Sequence, residues 1–248
     1  DIINIDDPKK PFRVGVYELD SPGHSIHDVW IEDGIAYSSN WADGVVAVDI
    51  GAKKHKEADR SKSQFNPLLA KAGQGSPSNP IKLAEMKDPT GRNHAAFPYT
   101  SESTGQFYIV GGDENFPWGV MATKNKPSNP RGAYHFLNFT DPENPTEDAI
   151  YEVPEAGSHN LWIYGDMLLA GNYQGGFRVV DISGELLGDI YKQGREIAHY
   201  LSYHEKGRIA NAPMVWGAQP YKDYIFFSDM NSGLYCVQLE EESSSSTD

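Results

Sequence analysis

The chain has 248 residues, with 12% aromatics, 24 Gly and 16 Pro, a make-up that suits many short strands joined by tight turns better than long helices. A formal net charge of −14 argues against nucleic acid or an anionic membrane surface as partner, because both need a basic face. The single cysteine, Cys236, rules out an internal disulfide and any paired-Cys metal motif, and no stretch is long and apolar enough to span a bilayer.

The chain opens on a short strand, Asp1–Ile5, then NIDDPKKP (4–11), a rigid turn in which Pro fixes φ and withholds a donor. A strand over Phe12–Leu19 ends in VYEL. From His27 the chain reads HDVWIEDGIAYSSNWADGVVAVDIG: an apolar strand, a turn, a second strand IAYSSN, a Gly turn and a third strand GVVAVDI. Residues 52–80, polar and rich in Lys, Ser, Gly and Pro, read as a surface insertion. His94 opens a fainter copy, HAAFPYTSESTGQFYIVGGDE, and residues 114–131 read as a second insertion. NFTDPENP (138–145) repeats the Asp-Pro phrase and is followed by IYEV. HNLWIYGDMLLAGNYQGGFRVVDIS, from His159, lies on the His27 copy without a gap. Residues 195–211 read as a third insertion, and a last copy opens at Trp216. Cys236 falls in the alternation LYCVQL and reads as a small core residue. EESSSSTD (241–248) reads as an acidic, Ser-rich tail.

The openings His27, His94, His159 and Trp216 are spaced by 67, 65 and 57 residues, a repeat period with about four antiparallel strands per unit. That grammar predicts an all-β chain: one β-propeller region over 1–240, holding about four blades' worth of sequence. Phe12–Leu19 could serve as the outer strand of the last blade and close a four-blade ring, but Asp1–Ile5 would then have no blade. The simpler expectation is a larger ring, about seven-bladed, with further blades upstream.

GVVAVDI (44–50), GFRVVDIS (176–183), NIDDPKKP and the terminal SDMNSGLYCVQL resemble the LVIVD-repeat family, named for a strand of aliphatic residues ending in Val-Asp. The resemblance covers three of the four units well and the His94 unit poorly, where the third strand reads AYHFLNFTDP. It implies an exported or surface-attached propeller, on the cell surface, in the periplasm or secreted, and carries no catalytic residue with it.

In a propeller the first strand of each blade lines the axis, so His27, His94 and His159 are expected to face one space, with His24 as a further candidate. Three imidazoles could bind Zn, Cu or Fe. The competing reading, and the preferred one, is that each His hydrogen-bonds the neighbouring blade. Trp216 interrupts the series. Asp113, Glu114, Phe116 and Trp118, with Arg92 nearby, form a second candidate: carboxylates beside aromatics could hold a cation such as Ca or a sugar ring. Asn40, Asn172 and Asp229, each followed four residues later by Gly44, Gly176 or Gly233, read as turn chemistry. Asp49 and Asp181 read as caps that close the third strand. Phosphate loops, nucleophile elbows and paired-Cys sites are missing from the sequence. The expected function is therefore an extracytoplasmic binding or scaffold module presenting loops to a protein or glycan, as a subunit of an envelope or surface assembly. The alternative is a metal-dependent oxidoreductase working at the His-lined axis.

Overall fold

A computed structural model describes residues 1–21, 24–54, 65–116 and 129–240. Its regular structure is nearly all short strands joined by turns, as the repeat grammar predicts. The Asp33-Gly34 turn is an example. Both residues have positive φ, 50° and 77°, and such a turn matches the right-handed twist of the strands it joins.

Four antiparallel blades succeed one another as a β-propeller. Blade I runs from the inner strand β3 (Asp28–Glu32) through β4 (Ile35–Ser39) and β5 (Val45–Asp49) to β6 (Ile81–Met86). Blade II comprises β7 (Asn93–Thr100), β8 (Phe107–Asp113), β9 (Tyr134–Asn138) and β10 (Thr146–Tyr151). Its outer edge takes a short parallel strand, β14 (Gly188–Asp189). Blade III is β11 (Leu161–Tyr164), β12 (Met167–Gly171), β13 (Phe177–Asp181) and β15 (Glu196–Tyr200). Blade IV has three strands among the described residues: β16 (Val215–Tyr221), β17 (Tyr224–Asp229) and β18 (Gly233–Val237).

Each core fills the wedge between two blades. On β8, Phe107 and Ile109 pack with Tyr37, Val45 and Leu137 in the wedge between blades I and II. Their neighbours Tyr108 and Val110 pack with Tyr134, Leu168 and Val180 between blades II and III. Leu169 and Val179 pack with Val215 and Phe227 between blades III and IV. A single strand thus feeds two cores by pointing alternate side chains to opposite faces. Each fully buried aliphatic contributes roughly 1.5–3 kcal/mol of transfer free energy. Trp30 packs at the edge of the first two cores, 4.9 Å from the Trp162 ring. On the other flanks, among the described residues, Val29 and Ile31 on blade I and Leu234 on blade IV are exposed.

Phe12–Gly15 (β2) pairs with Ile2–Asn4 (β1) and not with blade IV, so the closed-ring alternative, not the simpler expectation, is the one this pairing goes against. Several other segments differ from the sequence reading. Residues 196–200, read as part of an insertion, are β15; its outer face is wet, so EIAHY lacks a clean apolar alternation. Within 52–80 the helical turn α1 (Leu68–Lys71) buries Leu68 and Leu69 in the core between blades I and II. Cys236 is exposed, because no strand among the described residues covers β18. Most of the 114–131 insertion, and the tail at 241–248, lie outside the described residues.

Candidate metal centre at the propeller axis

Strand register aligns the blades residue by residue. The His27 N–H donates to the Ser39 carbonyl, and the His159 N–H to the Gly171 carbonyl. In blade II the residue opposite Ala95 is Gly112, and in blade IV the residue opposite Gly217 is Ser228. His27, His94, His159 and Trp216 therefore hold one position, just before or at the start of the inner strand. Their rings stand in a row, with centroids 4.0 Å apart for His27–His94, 4.2 Å for His94–His159 and 5.2 Å for His159–Trp216.

Two of the three histidines, His27 and His159, hydrogen-bond the neighbouring blade, whereas His94 does not. His27 Nδ1 donates to the carbonyl of His94 at 3.0 Å, and His159 Nδ1 to the carbonyl of Trp216 at 2.8 Å. A carbonyl can only accept, so in the neutral rings Nε2 carries the lone pair. His94 is buried, and its Nδ1 has no hydrogen-bond partner. Burial, together with the neighbouring His27, pushes His94 down to about 4. Burial, followed by His94, likewise lowers His159. Both rings are thus neutral and able to ligate near pH 7.

An acidic residue joins them from a direction the sequence did not reveal. The residue after the turn position is Trp41 in blade I and Tyr173 in blade III, both left-handed, with φ of 52° and 41°. In blade II it is Glu114. Its carboxylate lies 3.7 Å from His94 Nε2 and 3.7 Å from His159 Nε2, and accepts the hydroxyl of Tyr173. Burial and that carboxylate raise the Tyr173 hydroxyl pKa, so it stays a donor. A gap of 3.7 Å is too long for a hydrogen bond. It is close to the spacing of two ligands that each sit about 2 Å from one Zn ion. Ligand atoms of His27, His94 and Glu114 all lie within 4.8 Å of one another.

A second buried group lies on the other side of the β8 terminus. Asp113 holds the same register position as Asn40, Asn172 and Asp229, and its N–H donates to the Ala133 carbonyl as that of Asn40 does to Gly44. His135 Nε2 meets Asp113 at 3.0 Å and its Nδ1 meets Glu147 at 2.7 Å. Burial opposes the imidazolium, but Asp113, Asp88 and Glu147 outweigh it and lift His135 to about 9. Sequence analysis did not single out Asp88 or His135. Their only signal is a polar residue inside an otherwise apolar strand (YHFLN) and an Asp-Pro turn before the second copy.

The other sequence candidates divide. His24 is exposed and pairs with Asp43. Arg92 is exposed, and its carbonyl accepts the Glu114 N–H at 3.0 Å. Phe116 stands edge-on to Tyr173, with centroids 5.7 Å apart, and Trp118 lies outside the described residues. Asn40 and Asn172 close their turns through N–H bonds to Gly44 and Gly176 at 2.9 Å. Asp49 accepts five backbone N–H groups, from Gly51, Ala52, Gly73, Gln74 and Gly75, whereas Asp181 accepts one, from Ser183. Asp229 accepts the Met214, Asn231 and Ser232 N–H groups and the Ser202 hydroxyl, in a turn that leads to Gly233 (φ 102°). A groove of about 520 Å³ runs beside the axial histidines. It is lined by Asp28, Ala95 and Asn160, the residues that follow them, and by Trp30, Trp162 and Trp216.

The fold defines the chain as a four-bladed β-propeller unit. No protein-family model and no curated protein matches it. Among solved structures, the crystal structure of the computationally designed Ika4 protein aligns with a TM-score of 0.47 and 10% identity, over 90% of this chain and 96% of that chain. Among the described residues no helix is long and apolar enough to cross a membrane.

Proposed function

We propose that this chain is a metal-binding propeller module whose centre is made by His27, His94 and Glu114, with His159 beside the same carboxylate. The carrying observation is the division of labour on the imidazoles. Nδ1 of His27 and of His159 is spent on the next blade's carbonyl, while Nε2 of His94 and of His159 faces one carboxylate at 3.7 Å. Fixing one ring nitrogen on a carbonyl is how proteins orient a ligating histidine. Two imidazoles and a carboxylate suit Zn or Cu. An ion there would sit beside the aromatic groove, and with copper the same centre would support oxidoreductase chemistry on a groove-bound substrate. The test is elemental analysis of dialysed protein after exposure to Zn or Cu. The wild type should retain an equivalent that the His94→Ala, Glu114→Gln variant loses. Equal metal content in the two proteins would end this reading.

A second reading rests on the groove and the exposed flank residues. Exposed Val29, Ile31 and Leu234, with Trp216 at the groove wall, suit a module that docks in an assembly or takes a glycan against its tryptophans. The resemblance to LVIVD repeats supports an extracytoplasmic setting, with the flanks meeting further blades of a ring of about seven. Light scattering over a wide concentration range tests the flanks; a strict monomer throughout would count against them.

A further inference from the structure

The buried group at the end of β8 carries a charge imbalance that its counterpart in blade III does not have. In register, Gly111 faces His135 as Ala170 faces Arg178. Blade III settles this position with a permanent cation: Arg178 Nη1 lies 2.9 Å from both oxygens of Glu196. Blade II surrounds one imidazole with three carboxylates, Asp113, Glu147 and Asp88. Asp113 and Asp88 are 2% and 5% exposed, so neither charge is relieved by water.

The hydrogen bonds do not close either. The Thr90 hydroxyl lies 2.7 Å from Asp88 Oδ1 and 2.9 Å from Asp113 Oδ1, yet it has one proton for two acceptors. Asp88 Oδ1 also takes the Thr90 and Gly91 N–H groups, while Oδ2 is buried with no partner. A buried carboxylate oxygen without a donor is rare. Ligand atoms of Asp88, Asp113 and His135 lie within 4.8 Å of one another, and Glu147 holds the far nitrogen of His135 in a carboxylate–histidine arrangement typical of metal sites.

We propose that Asp88, Asp113 and His135 bind a second divalent first-row metal ion, with Zn²⁺ as the probe and Glu147 as the positioning carboxylate. On binding, the proton leaves His135 Nε2 for solvent, Nδ1–H stays on Glu147, and the nitrogen lone pair and two carboxylates take the ion. None of the four axial residues takes part, so this site stands or falls independently of the axial one.

The experiment strips the whole chain with a chelator, loads it with Zn²⁺, dialyses it and measures Zn per chain. With both sites present, the wild type should hold two equivalents. The axial variant His94→Ala, Glu114→Gln should hold one, and Asp88→Asn should lose one relative to wild type. The axial variant decides by itself: an equivalent retained there and removed by adding His135→Gln supports the second site, whereas no retained Zn overturns it. If the wild type and the axial variant both hold one equivalent, the axial proposal fails and this one survives. Asp88→Asn with the wild-type content would also overturn it. Far-UV circular dichroism on each variant checks that the fold is kept, and the axial variant still decides between the outcomes if Asp88→Asn does not fold.

Discussion

Blades II and III share one register and differ in what they place at it. Blade III has Asn172 and Tyr173 at its inner turn and Arg178 on the next strand; blade II has Asp113, Glu114 and His135. The blade III set is neutral or internally paired, as the Arg178–Glu196 bond shows. The blade II set leaves carboxylates facing two spaces, one among the axial histidines and one beneath the strand. A repeat thus supplies matching backbone, and single departures from the repeat supply the chemistry. The departures also work across the seam, because the Tyr173 hydroxyl of blade III serves Glu114 of blade II.

The largest expected effect tests how closely the two blades approach their neighbours. A Cβ on Gly171 would sit 2.5 Å from the Trp216 carbonyl oxygen, and one on Gly112 would sit 2.9 Å from that of His159. Gly171→Ala should lower stability by about 3 kcal/mol and Gly112→Ala by about 2 kcal/mol, read from urea unfolding midpoints. An unchanged midpoint for Gly171→Ala would break the close backbone packing between blades III and IV.

The strand-closing aspartates extend the comparison to blade I. Asp49 accepts five N–H groups and Asp181 one. Asp49→Asn should cost about 2–3 kcal/mol at neutral pH and Asp181→Asn about 1 kcal/mol or less. Burial pushes the Asp49 carboxyl up, but the N–H groups of Gly51, Gly75, Ala52 and Gly73 overcome it and hold the pKa below the ordinary carboxylate range. A depressed folded pKa gives stability that is full above the unfolded value, about 3.9, and is lost as pH falls through the folded value. The gap between wild type and Asp49→Asn should therefore close as unfolding is measured below about pH 4. A gap that widens on acidification would reverse the assignment.

The smallest effect separates the two bonded histidines. His159→Ala removes a buried ring and its bond to Trp216, for about 2 kcal/mol, whereas His27→Ala removes an exposed ring and its bond to His94, for about 1 kcal/mol. Equal losses in thermal melts would mean that burial does not distinguish these two seams.

What the sequence by itself determined is the blade. The recurrence of His27 and His159, the Asn40–Gly44 and Asn172–Gly176 turns, and the matching apolar strands GVVAVDI and GFRVVDIS are local signals, because hairpin register couples residues only a few positions apart. The same locality explains the misread pieces. The edge strand β15 has one wet face, and the α1 turn is buried only because a distant wedge receives Leu68. The repeat also placed His27, His94 and His159 in one row, but tertiary structure alone decided which carboxylates meet them and which meet His135. Glu114 reaches His94 and His159 from either side in sequence, and Asp88 meets His135 from the end of the preceding blade. A side chain on a blade face meets its partner on the next blade some sixty residues along the chain, and no short-range pattern records which charged groups the closing wedges press together.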